Sequence, residues 1–242
     1  MNPTVQRICV WTVPGLLTLL FGGLIVAGWF PPPDPDMTAR QVADMYTNHT
    51  DRIRVAVLMI ACAGALFAPL VAVISHQMKR AEGVGGGSLS RVQMMCGAAT
   101  ILLFTIPTFM WQAAAFRPDR DIQITQALHE AGWIPFIGAI FPAIVQNFAI
   151  AGAAFIDKRE DPVFPRWLGY FNIWIALGFI PSGLVLFFKT GAFAWNGIFT
   201  FWLAATIFGI WFGVMVWRLL IAIKQEESEL AAQPAERETI AA

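Results

Sequence analysis

Charge is scarce in this sequence, and six long stretches have none. No Asp, Glu, Lys or Arg occurs in Ile8–Phe30, Val55–Ser75, Val92–Phe116, Ala131–Ile156, Trp167–Phe188 or Thr190–Trp217. All 16 basic and all 16 acidic residues lie outside these windows. Soluble helices carry charge along one face, so this partition excludes a water-soluble bundle. The 13% charged fraction beside 57% hydrophobic residues excludes a disordered chain. Equal numbers of basic and acidic residues remove nucleic acid as an expected partner. The three cysteines, Cys9, Cys62 and Cys96, are odd in number and match no zinc or redox spacing, so they read as free, packed thiols.

What is present is length and apolarity. A helix rises ~1.5 Å per residue and the hydrocarbon core is ~30 Å thick, so ~20 apolar residues cross it. The fold class expected is all-α, an integral membrane bundle of six transmembrane helices. The spans fall at about 8–30, 53–75, 92–116, 132–156, 167–188 and 195–223. Residues 1–230 form one polytopic membrane domain, and 231–242 a flexible polar tail that frays past Pro234. The first run is longer than the apolar region of a signal peptide, and no A-x-A site follows before Pro31, so it reads as a retained span.

Orientation follows from basic residues near span ends. Arg7, Lys79, Arg80, Arg91, Lys158, Arg159, Arg166, Arg218, Lys224 and Arg237 share the side of the termini. Arg40, Arg52, Arg54, Arg117, Arg120 and Lys189 share the other. Ten against six places both termini in the cytoplasm.

The connections differ in kind. Gly83–Ser88 is glycine-rich but lacks the Gly-Lys-Ser/Thr ending of a phosphate loop, so it reads as a flexible linker. Outside, Pro31–Asp36 stops the first helix, and Thr38 with Gln41 forms a capping box. The helix it starts places Val42, Met45 and Tyr46 on one face, as a short amphipathic segment at the outer interface. A second short outer helix is expected over 122–130, closed by Gly132, and Phe193 and Trp195 fit an interfacial aromatic belt. Ala205, Gly209 and Gly213 form a small-residue stripe that suits close packing inside the bundle.

Polar groups at depth are few and neutral. Gln146 and Asn147 lie near the middle of the fourth span, four and five residues after Pro142, which is expected to kink the helix. Gln112, beside Trp111, lies in the third span, and Asn172 in the fifth. Either these amides join helices, or they line a site for a weakly polar ligand. Ionisable candidates, His129 and Glu130, fall at the outer side, where solvated loop residues are the plain reading. Candidate ligand-binding residues are therefore Trp111, Gln112, Gln146, Asn147, Asn172, His129 and Glu130. The three histidines do not pair across spans as a haem requires, and no ligand-type spacing indicates a metal, so no cofactor, metal site or catalytic residue is expected. Ser182 has no base within its span or the others, which argues against a nucleophile. The lack of an ionisable group at depth argues against proton- or ion-coupled transport.

Two segments, Phe164-Pro165-Arg166-Trp167-Leu168-Gly169-Tyr170 and Phe188-Lys189-Thr190-Gly191-Ala192-Phe193-Ala194-Trp195, give the chain a likeness in its C-terminal third. It resembles uncharacterised bacterial multi-pass inner-membrane proteins of the mycobacterial and actinobacterial type. The resemblance implies a bacterial cell membrane and a helical bundle, and carries no activity.

The leading functional expectation is a non-catalytic protein that binds a lipid or apolar small molecule, or serves as an accessory subunit in a membrane assembly. Its partners are then the lipid bilayer, that ligand, and a second membrane protein or a further copy. The rival is a small transporter or channel for a weakly polar solute. A third is a membrane enzyme acting on lipid through His129, Glu130 and nearby aspartates. Topology is testable first. In intact cells, single cysteines placed at Arg80 and Lys158 are expected to resist an impermeant thiol reagent, and ones at Asp36, Asp119 and Lys189 to react. Labelling at Arg80 would reverse the orientation.

Overall fold

A computed structural model describes residues 1–241, with side chains described through Ala232. The described chain is helical and has no strand. In chain order the helices are α1 (Pro3–Val10), α2 (Thr12–Ala27), α3 (Ala39–Asn48), α4 (Thr50–Ala65), α5 (Phe67–Glu82), α6 (Ser88–Phe116), α7 (Ile122–Gly138), α8 (Phe141–Ile156), α9 (Arg166–Phe179) and α10 (Leu203–Ala241). Joined end to end, these give six stretches long and apolar enough to cross a bilayer: Pro3–Ala27, Thr50–Glu82, Ser88–Phe116, Ile122–Ile156, Arg166–Leu186 and Gly191–Ala232. Val55, Leu58, Phe109, Trp174 and Ile210 point outward from them, as side chains facing lipid do.

Successive spans are neighbours. α2 packs on α4, α5 on α6, α6 on α7 and α8, and α8 on α9; α10 then contacts α9, α5 and α1 and so returns to the start. Close approach depends on missing side chains. A Cβ on Gly23 would stand 2.8 Å from Ile60 and 2.9 Å from the Ala56 carbonyl, and one on Gly97 would stand 2.6 Å from Val71. Small residues allow such contact where lipid offers no hydrophobic drive for helix association.

Several spans depart from the straight helices expected. The fourth does not begin after a separate outer helix closed by Gly132. α7 continues through Gly132, where any Cβ would collide with the Trp111 indole, and the break comes later at Ala139 and Ile140. Pro142 accordingly occupies the first turn of α8, where its missing N–H is not needed, and does not kink a helix interior. The fifth span is α-helical only to Phe179 and tightens into 3₁₀ turns over Ile180–Leu186, which include Pro181. The sixth enters through a π turn at Ile198–Trp202.

The small-residue stripe of α10 behaves differently from its expected use. Positions Gly209 and Gly213 have no neighbouring atom within reach of an added Cβ, so they do not pack inside the bundle. Cys62 is exposed on α4, against the expectation that all three thiols are packed. Gly83–Ser88 is also less free than a linker. The Glu82 carboxylate accepts the backbone N–H groups of Gly87 (2.8 Å), Leu89 (3.0 Å) and Ser90 (2.7 Å), capping the start of α6. Beyond Leu230 the backbone continues as helix to Ala241; Ala242 lies outside the described residues.

At the end carrying both termini, one carboxylate joins three helices. Glu226 of α10 accepts from Gln6 of α1 (2.8 Å) and Gln77 of α5 (2.8 Å), and lies 2.9 Å from His76 Nε2. Gln77 also donates to the Gln6 side-chain carbonyl oxygen at 2.6 Å. Gln6 and Gln77 are fully buried. Around them, Arg7 grips Glu227 with two bonds of 2.7 and 2.6 Å, and Arg80 donates to Glu229 at 2.7 Å. Removing the acceptor strands two buried donors, which costs about 1–3 kcal/mol. Thermal unfolding in detergent is therefore expected to rank wild type above Glu226→Gln and Glu226→Ala lowest, by about that amount. Equal melting of all three would show that the network does not fasten α1 to α10.

Candidate functional site

Midway along the bundle the helices form a partly open cavity of about 130 Å³. Its wall draws on α2 (Leu20, Leu24), α6 (Thr100, Phe104), the α7–α8 break (Ile137, Ile140), α8 (Gln146, Asn147) and α10 (Ala204, Phe208). No lining residue is ionisable. The break explains why the cavity can exist at membrane depth: backbone that leaves a helix is tolerated there only against protein or a cavity.

Gln146 and Asn147 are buried side by side at this wall. They differ in how they are satisfied. The Asn147 amide N–H donates to the Ala143 carbonyl one turn back, at 2.8 Å, and its Oδ1 is enclosed without a partner. Gln146 makes no side-chain hydrogen bond with any described residue, and its Nε2 is enclosed and unpartnered. The enclosed Gln146 Nε2 and Asn147 Oδ1 present no surface to the cavity, which the two residues border through their other atoms. The other two polar lining residues are occupied. The Thr100 hydroxyl donates to the Cys96 carbonyl at 2.9 Å, and that of Thr200 to the Ala194 carbonyl.

Asn172, expected as a third amide site, stands behind the wall. It donates to the Leu168 carbonyl (2.8 Å) and accepts the Trp211 indole N–H (3.0 Å), so it fixes the ring of a lining residue and both ends of its amide are engaged. Gln112 is partly exposed on α6 and does not line the cavity. Gln93, which no motif or spacing marks out in the sequence, is buried with both amide atoms unpartnered, but it too lies away from the cavity.

The remaining candidates gather toward the end opposite the termini, and one of them contradicts its expectation. His129 is no solvated loop residue: it is 1% exposed, among Trp29, Tyr46, Trp133 and Trp195. α7 packs on α3, and His129 lies on the face between them. The Tyr46 hydroxyl and His129 Nδ1 are 3.1 Å apart, and burial pushes the Tyr46 phenol well up from its ordinary value, so it stays protonated. Trp111 joins this cluster, its indole N–H donating to the His129 carbonyl at 3.3 Å. Trp195 also belongs to the interior, stacked on Trp133 and donating to the Pro33 carbonyl at 2.7 Å, and not to an interfacial belt. Val42 and Tyr46, on the apolar face of the capped amphipathic helix α3, are buried against the protein, mainly α7. Glu130 remains partly exposed beside the cluster.

Four of the seven candidate residues thus fall in two places. Gln146 and Asn147 share the cavity, Trp111 and His129 share the aromatic cluster, and the other three line neither. The aromatic cluster is tightly packed, while the cavity has room for a molecule. No protein-family model matches the chain, and no curated protein or solved structure matches it.

The differing satisfaction of the amides gives opposite expectations for similar substitutions. Asn172→Leu deprives the buried Trp211 indole of its acceptor and is expected to lower stability by about 1–2 kcal/mol. Gln146→Leu removes an amide that bonds nothing and is expected to leave stability unchanged or higher. Unfolding midpoints in detergent check this, and a larger loss from Gln146→Leu would mean that its amide is paired after all.

Proposed function

We propose that this polytopic membrane protein binds a lipid-like or apolar small molecule within the bilayer, in the cavity bounded by α2, α6, the α7–α8 break and α10. One observation carries the reading: a partly open cavity within the bundle whose lining is apolar but for a few neutral side chains and carries no charge. Ligand sites of this kind are mostly apolar with a few placed polar groups. The reading is of a binding protein and not an enzyme, because the cavity wall offers neither an activated nucleophile nor a base. The setting we propose is a bacterial inner membrane with both termini cytoplasmic, on the strength of the basic-residue asymmetry and the resemblance of the two C-terminal segments.

Interrupted helices around a mid-membrane cavity are also a feature of carriers, and that observation favours passage of a weakly polar solute as the second reading. The lining weighs against it. Only Thr100, Gln146, Asn147 and Thr200, with the Trp211 indole, bring polar groups to its wall.

Filling the cavity tests the proposal. Native mass spectrometry of protein purified from its own membranes is expected to find a retained apolar small molecule on the wild type. Ala204→Phe and Ala205→Phe, which project a ring into the space, are expected to reduce retention about tenfold or more. Equal retention by all three forms, or none by the wild type even after incubation with total membrane lipid, would refute it.

A further inference from the structure

The hydrogen-bonded pair of Tyr46 and His129 carries chemistry of its own, independent of the cavity. Among the described residues, His129 Nδ1 is the one hydrogen-bond partner of the Tyr46 hydroxyl, at 3.1 Å. A protonated phenol with a single partner donates to it, which assigns Nδ1 as the acceptor and puts the imidazole's own hydrogen on Nε2. Tyr46 is fully buried and His129 nearly so, and no water competes for that proton. Burial also holds the phenol protonated, well above its ordinary titration range. Loss of an electron reverses this. An oxidised phenol is a far stronger acid than an imidazolium, so its proton crosses to Nδ1 and leaves a neutral phenoxyl radical. Trp29, Trp133 and Trp195 surround the imidazole at ring separations of 6.0, 6.3 and 6.0 Å, near the range in which an indole stabilises a cation.

A route for the electron leads outward through rings in contact. Trp29 lies 6.2 Å from Tyr46, Trp133 lies 5.7 Å from Trp29, and Trp195 stacks on Trp133 at 6.2 Å. Trp29 and Trp133 are fully buried, whereas Trp195 keeps 6% of its surface exposed and is the member that reaches the surroundings. We propose that Tyr46 is a redox-active tyrosine, which traps oxidising radicals that arrive at the end opposite the termini. A one-electron oxidant of that class, such as the carbonate radical, takes an electron at Trp195 and leaves as its reduced anion. The electron is replaced through Trp133 and Trp29 from Tyr46, whose phenolic proton passes to His129. One oxidant is consumed for each phenoxyl radical and imidazolium formed, so charge and atoms balance.

The chain has two tyrosines, Tyr46 and the exposed Tyr170, so the radical can be assigned. Purified protein in detergent would be photo-oxidised from water by ruthenium tris(bipyridine) with a cobalt(III) quencher. Electron paramagnetic resonance then reads the trapped radical, and ring-deuterated tyrosine separates tyrosyl from tryptophanyl signals. Tyr170→Phe, in which Tyr46 is the sole tyrosine, is expected to keep the tyrosyl signal of the wild type, and Tyr46→Phe to lose it. His129→Gln keeps a hydrogen-bond acceptor but no base, and is expected to show a tryptophanyl signal in place of the tyrosyl one. No tyrosyl signal from Tyr170→Phe, or an undiminished one from Tyr46→Phe, overturns the trap. An undiminished tyrosyl signal from His129→Gln overturns the proton transfer. Should a variant at Tyr46 or His129 not fold, the presence or absence of the tyrosyl signal in Tyr170→Phe decides the matter.

Discussion

In hydrocarbon a peptide group has no water to bond, so every N–H and C=O must find its partner inside the protein. This requirement explains both the length of the helices and the place of their interruptions. The breaks at Ala139–Ile140 and Ile198–Trp202 and the tightened turns at Ile180–Leu186 concentrate on one region of the bundle. There the departing backbone is covered by neighbouring spans or borders the cavity. Helical regularity is given up where the protein interior can absorb it, and the space enclosed is the result.

The two ends of the bundle are fastened by different chemistry. Where the termini meet, a buried carboxylate and two buried amides join the first, second and sixth spans, with arginine–glutamate pairs around them. At the far end the fastening is aromatic: edge-to-face contacts link Trp29 to Tyr46, Trp111 and Trp133 with ring separations of 4.9–6.2 Å. Edge-to-face arrangement suits the ring quadrupole and adds to what area burial alone provides. Between these two closed ends, the middle of the bundle retains open space.

The six spans were legible because exclusion of charge from the membrane is a one-dimensional signal, written directly in residue order. The cap at Thr38 and Gln41 was legible for a related reason, since its hydrogen bonds run between near neighbours. Interior contacts were less so. His129 looked solvated beside Glu130 and the aspartates, and it is the packing of α7 on α3, distant in sequence, that encloses it. Gly132 reads as a helix stop by composition, whereas its surroundings are set by the Trp111 ring on another helix, which no local rule supplies. Gln146 and Asn147 could be placed at depth from sequence. That one is bonded and the other idle depends on the Ala143 carbonyl and on what surrounds the cavity. Glu226 gave no signal at all, because its partners, Gln6 and Gln77, lie far from it in sequence and look ordinary at span edges.

The crowding of Trp29, Trp111, Trp133 and Trp195 has an optical consequence. Four indoles this close, held rigidly and shielded from water, exchange excitation energy and couple their near-ultraviolet transitions. Four of the ten tryptophans thus sit together at the end opposite the termini and contribute coupled bands to the near-ultraviolet circular dichroism. The cavity contributes a single indole, Trp211, in contact with Phe67 and Phe212. A spectroscopic change on loading the cavity then has one identifiable source, and the aromatic cluster serves as a built-in reference for whether the rest of the fold has moved.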